Sequence, residues 1–154
     1  MRVYVDADAF PNSLKEVLLR AVIKNKILTF FVANKPISIP KEDFIHMHIV
    51  AQGVDEADNY IAKSSQKGDL VITADIPLAN KIVSKGAYAL DPRGTIYDEE
   101  NIKSILAMRN LMQELRDGGE ITGGPSAITK KTIRNFADAL QNLLQKSKRD
   151  KAIS

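Results

Sequence analysis

Residues 2–32 read RVYVDADAFPNSLKEVLLRAVIKNKILTFFV, and their three-part pattern decides the fold class. Residues 2–5 alternate and carry β-branched valines, which predicts a strand. Ser13 and Glu16 then form a capping-box pattern, and Leu14, Val17, Leu18, Ala21 and Val22 follow at helical spacing. This predicts an amphipathic helix to about Asn25. Residues 27–32 are a short continuous apolar run, as expected of a strand buried on both faces. The turn between strand and helix holds two aspartates, Asp6 and Asp8, one residue apart. Their like charges repel unless water, a base or a cation stands between them.

The same alternation continues outward from this unit. Pro36 and Pro40 punctuate a loop, and residues 45–50 predict an edge strand in which His46 and His48 alternate with apolar residues. After Gly53, residues 54–67 predict a helix with Val54, Ala57 and Ile61 inward. Residues 69–73 (DLVIT) form a central strand, followed by Asp75 and a helix from Pro77 to Lys85 that Gly86 ends. Residues 87–90 form a further strand, running into Asp91-Pro92-Arg93-Gly94. Strands and helices alternating in this way predict a mainly parallel central sheet with helices on both faces, a three-layer α/β/α fold. Beyond Tyr97, residues 98–116 predict a long amphipathic helix carrying Ile102, Ile105, Leu106, Met108 and Met112. A glycine-rich loop at 117–125 leads to a last helix at 130–146, with Ile133, Phe136, Leu140 and Leu144. These C-terminal helices are expected to complete a single domain at 1–146, leaving 147–154 as a charged, frayed tail.

Composition narrows the function classes. The 154 residues suffice for one domain with a core, and 44% hydrophobic with 27% charged content fits a globular protein. Cysteine is absent, which excludes disulfides, thiolate zinc sites and thiol nucleophiles. No apolar run approaches the ~20 residues of a membrane helix, and strand pattern and charge begin at Met1-Arg2 where a signal peptide would stand. The expected location is the cytoplasm, with no membrane partner. A net charge of +3 leans weakly toward an anionic partner.

In an open α/β sheet, ligands bind beyond the carboxyl ends of the strands, and the acids of this chain collect there. Asp6 and Asp8 follow the first strand, Asp75 follows LVIT, and Asp91 follows YAL. On the 54–67 helix Asp58 sits beside the inward stripe, Asp55 lies on its border and Glu56 points to solvent. Oxygen donors without histidine or cysteine suit Mg²⁺ or Mn²⁺, ions that serve phosphoryl chemistry. Each acid also has a structural role open to it. Asp8 is balanced between ligand and turn residue. Asp55 reads better as a helix cap and Asp91 as a turn residue. Asp75 lies where it would favour a helix N-terminus, but for Asp6 and Asp75 the functional reading leads, because both end central strands. His46 and His48 share a strand face that could hold a metal, although an exposed edge face is the commoner outcome. Arg93, Lys130, Lys131 and Arg134 are candidate phosphate contacts, with solvated helix faces the default for the lysines. The glycine pairs follow no strand, and Walker and nucleophile-elbow motifs are absent.

The stretches VYVDADAFPNSLKEVLLRA, GVDEADNYI, GDLVITADIPLA, ALDPRG and ELRDGGEITGGPSAI together resemble the YaiI/YqxD family of bacterial proteins over nearly the whole chain. Phe10 stands where many relatives carry cysteine, which argues against a thiol catalyst there. That family is in turn similar to the PIN-like superfamily of metal-dependent nucleases. The resemblance implies a PIN-like fold and puts metal ligands at Asp6, Asp58 and Asp75, with Asp8, Asp55 and Asp91 as supplements. The reading that follows is a Mg²⁺- or Mn²⁺-dependent nuclease acting on RNA rather than DNA. In it Asp8 is a ligand or orients the attacking water, and Arg93 steadies a phosphate. A non-catalytic module binding RNA or a protein on the same fold is the alternative. An aspartyl-phosphate phosphatase with Asp6 as nucleophile ranks third, because Ala9-Phe10-Pro11 replaces the Thr or Ser and glycine turn usual there.

Overall fold

The computed structural model describes residues 1–53, 55–120 and 127–153; Val54 and the TGGP stretch at 122–125 lie outside them. Six strands, β1 (Val3–Asp6), β2 (Thr29–Ala33), β3 (Ile45–Ile49), β4 (Leu70–Ile72), β5 (Tyr88–Leu90) and β6 (Ile96–Tyr97), form one sheet in the order β3-β2-β1-β4-β5-β6. All neighbours are parallel except β5 and β6. Among the described residues five α-helices accompany it, α1 (Asn12–Lys24), α2 (Glu56–Ser64), α3 (Ile76–Ser84), α4 (Ile102–Asp117) and α5 (Lys130–Ile153), with a short 3-10 turn at Ala7–Ala9.

Strand periodicity sorts the side chains into two cores. Val3, Val5, Phe31, Leu70, Ile72 and Leu90 point one way, onto Leu14, Leu18 and Val22 of α1 and Phe136, Leu140 and Leu143 of α5. Their neighbours Tyr4, Val32, Val71 and Ala89 point the other way, onto Ile61 of α2, Leu78 and Ile82 of α3, and Ile102 of α4. The expected three-layer α/β/α architecture is therefore the one observed. The chain runs from β1 outward through β2 to β3, then returns past β1 to β4, β5 and β6. Strand order thus reverses between β1 and β4, which opens a crevice at their carboxyl ends.

Several boundaries depart from the sequence expectation, each for a local reason. Helix α1 begins at Asn12 after Pro11, with no side-chain cap, so the Ser13 capping box does not form. Pro11, at φ −64°, already has the torsion a helix start needs, and Glu16 pairs instead with Arg20 at 2.6 Å. Helix α4 begins at Ile102 rather than 98, because the Asp98 carboxylate accepts from the N–H groups of Glu100 and Asn101 and closes a turn there. Helix α5 continues past 146 to Ile153, where Ser147 is still buried and the Tyr88 hydroxyl bonds Asp150. Strand β6 escaped prediction because two residues carry no readable period.

Candidate functional site

The switch point gathers acids on the α2–α3 face of the sheet. Asp6, the last residue of β1, is 8% exposed, and its Oδ2 accepts a 2.9 Å bond from the Thr73 hydroxyl just beyond β4. The same hydroxyl oxygen accepts from the Asp75 N–H at 3.0 Å, so one buried threonine ties the two strand ends together. Asp75 caps α3, with Oδ1 accepting from the Leu78 N–H at 2.8 Å and Pro77 in the first turn. From the opposite wall, Asp58 in the first turn of α2 brings its carboxyl into hydrogen-bonding contact with that of Asp75.

The electrostatics follow from this crowding. Burial raises the Asp6 carboxyl; the Thr73 bond opposes the shift, and the charges of Asp75 and Asp8 add to it. Asp58 is pushed up to about 7, first by burial, then by its bond to Asp75 and the charges of Asp75, Asp6 and Asp55.

The remaining predicted residues divide. Asp8 and Asp55 join Asp58 in lining a cavity of about 150 Å³, beside Asn34 and Val50. Asp8 does not initiate its own turn; its Oδ2 accepts from the Asn34 N–H at 3.0 Å and ties the turn to the end of β2. Asp55 precedes α2 but makes no cap bond, against expectation. Its backbone is left-handed (φ 67°), whereas a capping side chain needs an extended residue to reach the first N–H groups. Asp91 stands apart at the end of β5, where its carboxylate accepts from the Arg93 N–H at 2.6 Å and the Tyr97 hydroxyl at 3.2 Å and holds a turn. Burial and then the Asp91 charge raise the Tyr97 hydroxyl in turn. His46 and His48 stack on different rings, Phe30 and Tyr60. Sequence reading assigned no role to Thr73 or Asn34; a hydroxyl residue two before Asp75 at a strand end was the available signal.

Among the described residues no group of three or more acid, histidine or cysteine side chains is arranged so that it could hold a metal ion. Asp6, Asp58 and Asp75 offer only oxygen donors, and the charge of Asp75 adds to the rise of both the Asp6 and the Asp58 carboxyl.

A family model described as "Uncharacterized BCR, YaiI/YqxD family" matches residues 4–146. The chain belongs to the YaiI/YqxD family. A UPF0178 protein of Sulfurimonas denitrificans is 49% identical over 147 residues, 96% of this chain and 97% of that one. A UPF0178 protein of Maridesulfovibrio salexigens is 50% identical over 147 residues, with the same two shares. One of Desulfotalea psychrophila is 48% identical over 144 residues, 94% of this chain and 97% of its own length. No solved structure matches this YaiI/YqxD chain. Among the described residues no helix is long and apolar enough to cross a membrane.

Proposed function

We propose that this YaiI/YqxD protein is a divalent-ion-dependent phosphodiesterase acting on RNA in preference to DNA, in the cytoplasm, on a PIN-like fold. The observation that carries the reading is the meeting of Asp6, Asp58 and Asp75, from three separate elements, at the strand-order reversal. Mg²⁺ or Mn²⁺ held by these three would lower the pKa of an attacking water and offset charge on the leaving oxygen. The chain's own part is to orient the oxygens that would hold the ion. Thr73 fixes one oxygen of Asp6, and the α3 N–H of Leu78 fixes one of Asp75, so each carboxylate presents its other oxygen in a set direction. Asp58 would complete the ligand set from α2, where the cation would offset the crowding that raises its carboxyl. Asp8 and Asp55 line the approach.

The test is cleavage of labelled RNA and DNA strands with Mn²⁺, with Mn²⁺ binding followed by calorimetry. Wild type is expected to cut RNA, and Asp6→Asn or Asp75→Asn to lose at least ~100-fold in rate along with Mn²⁺ binding. No cutting by wild type, or cutting that survives both substitutions, overturns the proposal. The absence of a ready-made ion site among the described residues favours a second reading, a non-catalytic RNA-binding module. RNA retention by Asp6→Asn without cleavage by wild type would select it. A phosphoenzyme route through Asp6 is disfavoured, because that carboxyl is buried and bonded to Thr73.

A further inference from the structure

We infer that this chain forms a two-fold dimer in which β3 pairs antiparallel with β3 of a second copy, about an axis at Met47. The inference goes beyond the proposed phosphodiesterase and does not rest on it. Strand β3 is one edge of the sheet, and among the described residues β2 is the strand that pairs with it. The Thr29 N–H bonds the Phe44 carbonyl at 2.8 Å, and the Val50 N–H bonds the Ala33 carbonyl at 2.9 Å. Residues 44, 46, 48 and 50 therefore turn their backbone groups to β2, and Ile45, Met47 and Ile49 turn theirs outward. The Glu42 carbonyl takes the Ile45 N–H at 3.1 Å. That leaves the N–H groups of Met47 and Ile49, and the carbonyls of all three residues, directed at a neighbouring strand.

The sequence of this edge says which strand fits it. Residues 45–49 read Ile-His-Met-His-Ile, the same in both directions. Antiparallel pairing about Met47 puts Met47 opposite Met47 of the second copy, Ile45 opposite Ile49 and His46 opposite His48. Every cross-strand pair then joins like side chains on one face. The Met47 and Ile45–Ile49 pairs fall where the backbone groups point outward, so they exchange hydrogen bonds, and the His46–His48 pairs take the closer, unbonded positions. One step further, Phe44 meets Val50 and Asp43 meets Ala51, so no like charges face each other. Sheet edges that stay single resist pairing through lysine, proline or brevity. The opposite edge, β6, is two residues long, whereas β3 has five residues with no lysine, arginine, carboxylate or proline. Pairing also covers Ile49, which is 52% exposed in the single chain. The axis stands perpendicular to the sheet, so two six-stranded sheets become one and both acidic crevices lie on the same face, opening at opposite ends.

Sedimentation equilibrium of the full chain from ~1 to ~300 µM tests the dimer, because one strand pair makes a small interface of modest affinity. Wild type is expected to pass from monomer to dimer within that range. Ile49→Lys sets a charge opposite apolar Ile45 on both sides of the axis and should raise the dissociation constant at least ~10-fold. Ile49 is exposed, so the single chain tolerates the change. Disulfide trapping reads the register, because the chain has no cysteine of its own. His46→Cys mixed with His48→Cys should cross-link at least ~10-fold faster than either variant alone, since residue 46 stands opposite 48 and not opposite itself. Wild type that stays monomeric throughout, a dimer that Ile49→Lys leaves unchanged, or single variants that cross-link with themselves as fast as the mixture overturns the inference.

Discussion

At the residue scale, the candidate site is a case of like charges forced together. Asp58 keeps its proton up to about 7, while an unfolded aspartate releases it near 3.8. The folded state therefore binds more protons between those two values, and stability must fall as pH rises from ~4 to ~7. In EDTA, thermal melts should show the melting temperature declining across that window, with Asp58→Asn flattening the decline. A flat wild-type profile would show that the carboxyls do not crowd one another. Added Mn²⁺ should restore stability above pH 7 in wild type and not in Asp6→Asn. How far single residues were legible follows from what fixes them. Asp6 and Asp75 were readable because each follows an apolar strand directly. Asp8 and Asp55 were not, because the first is set by a bond to Asn34, twenty-six residues away, and the second by a left-handed backbone.

At the element scale, the sharpest packing constraint joins the turn after β5 to helix α5. Gly94 has φ +95°, and a Cβ placed there would meet the Asn135 backbone carbon at 2.7 Å. A side chain would strain the turn and push α5 away together. Gly94→Ala should therefore cost about 2–4 kcal/mol, read as a drop in the urea midpoint at constant slope. A loss below ~0.5 kcal/mol would mean that α5 shifts freely. The opposite end of the sheet has its own fixture. Buried Asp69 accepts from the backbone N–H groups of Arg2 (3.0 Å) and Gln66 (2.8 Å) and pairs with the Arg2 guanidinium at 2.9 Å. Asp69→Ala leaves those donors unmet and should cost about 2–3 kcal/mol by the same measurement. Helix periods were plain in the sequence, whereas helix starts were not. A capping motif and a proline compete for the same boundary, and at α1 the proline prevailed.

At the scale of the whole molecule, α1 and α5 close one face of the sheet and α2, α3 and α4 the other. Phe136 is wholly buried between α5 and that first face, with its ring 5.7 Å from Phe10. Phe136→Ala should cost about 3–5 kcal/mol, a large share of a small domain's stability, and calorimetry should show an early transition. A loss under 1 kcal/mol would mean that α5 is an appendage. Alternating apolar residues and helical periods by themselves determined a parallel sheet covered on both faces, because burial of apolar surface is written locally in spacing 2 and spacing 3.6. They also determined that acids follow the strands. Only the tertiary structure decided that strand order reverses between β1 and β4, since pairing partners lie far apart in sequence. That reversal brings Thr73 to Asp6 and Asp58 to Asp75 while leaving Asp91 outside, because contact between carboxylates depends on distance in space and not on position along the chain.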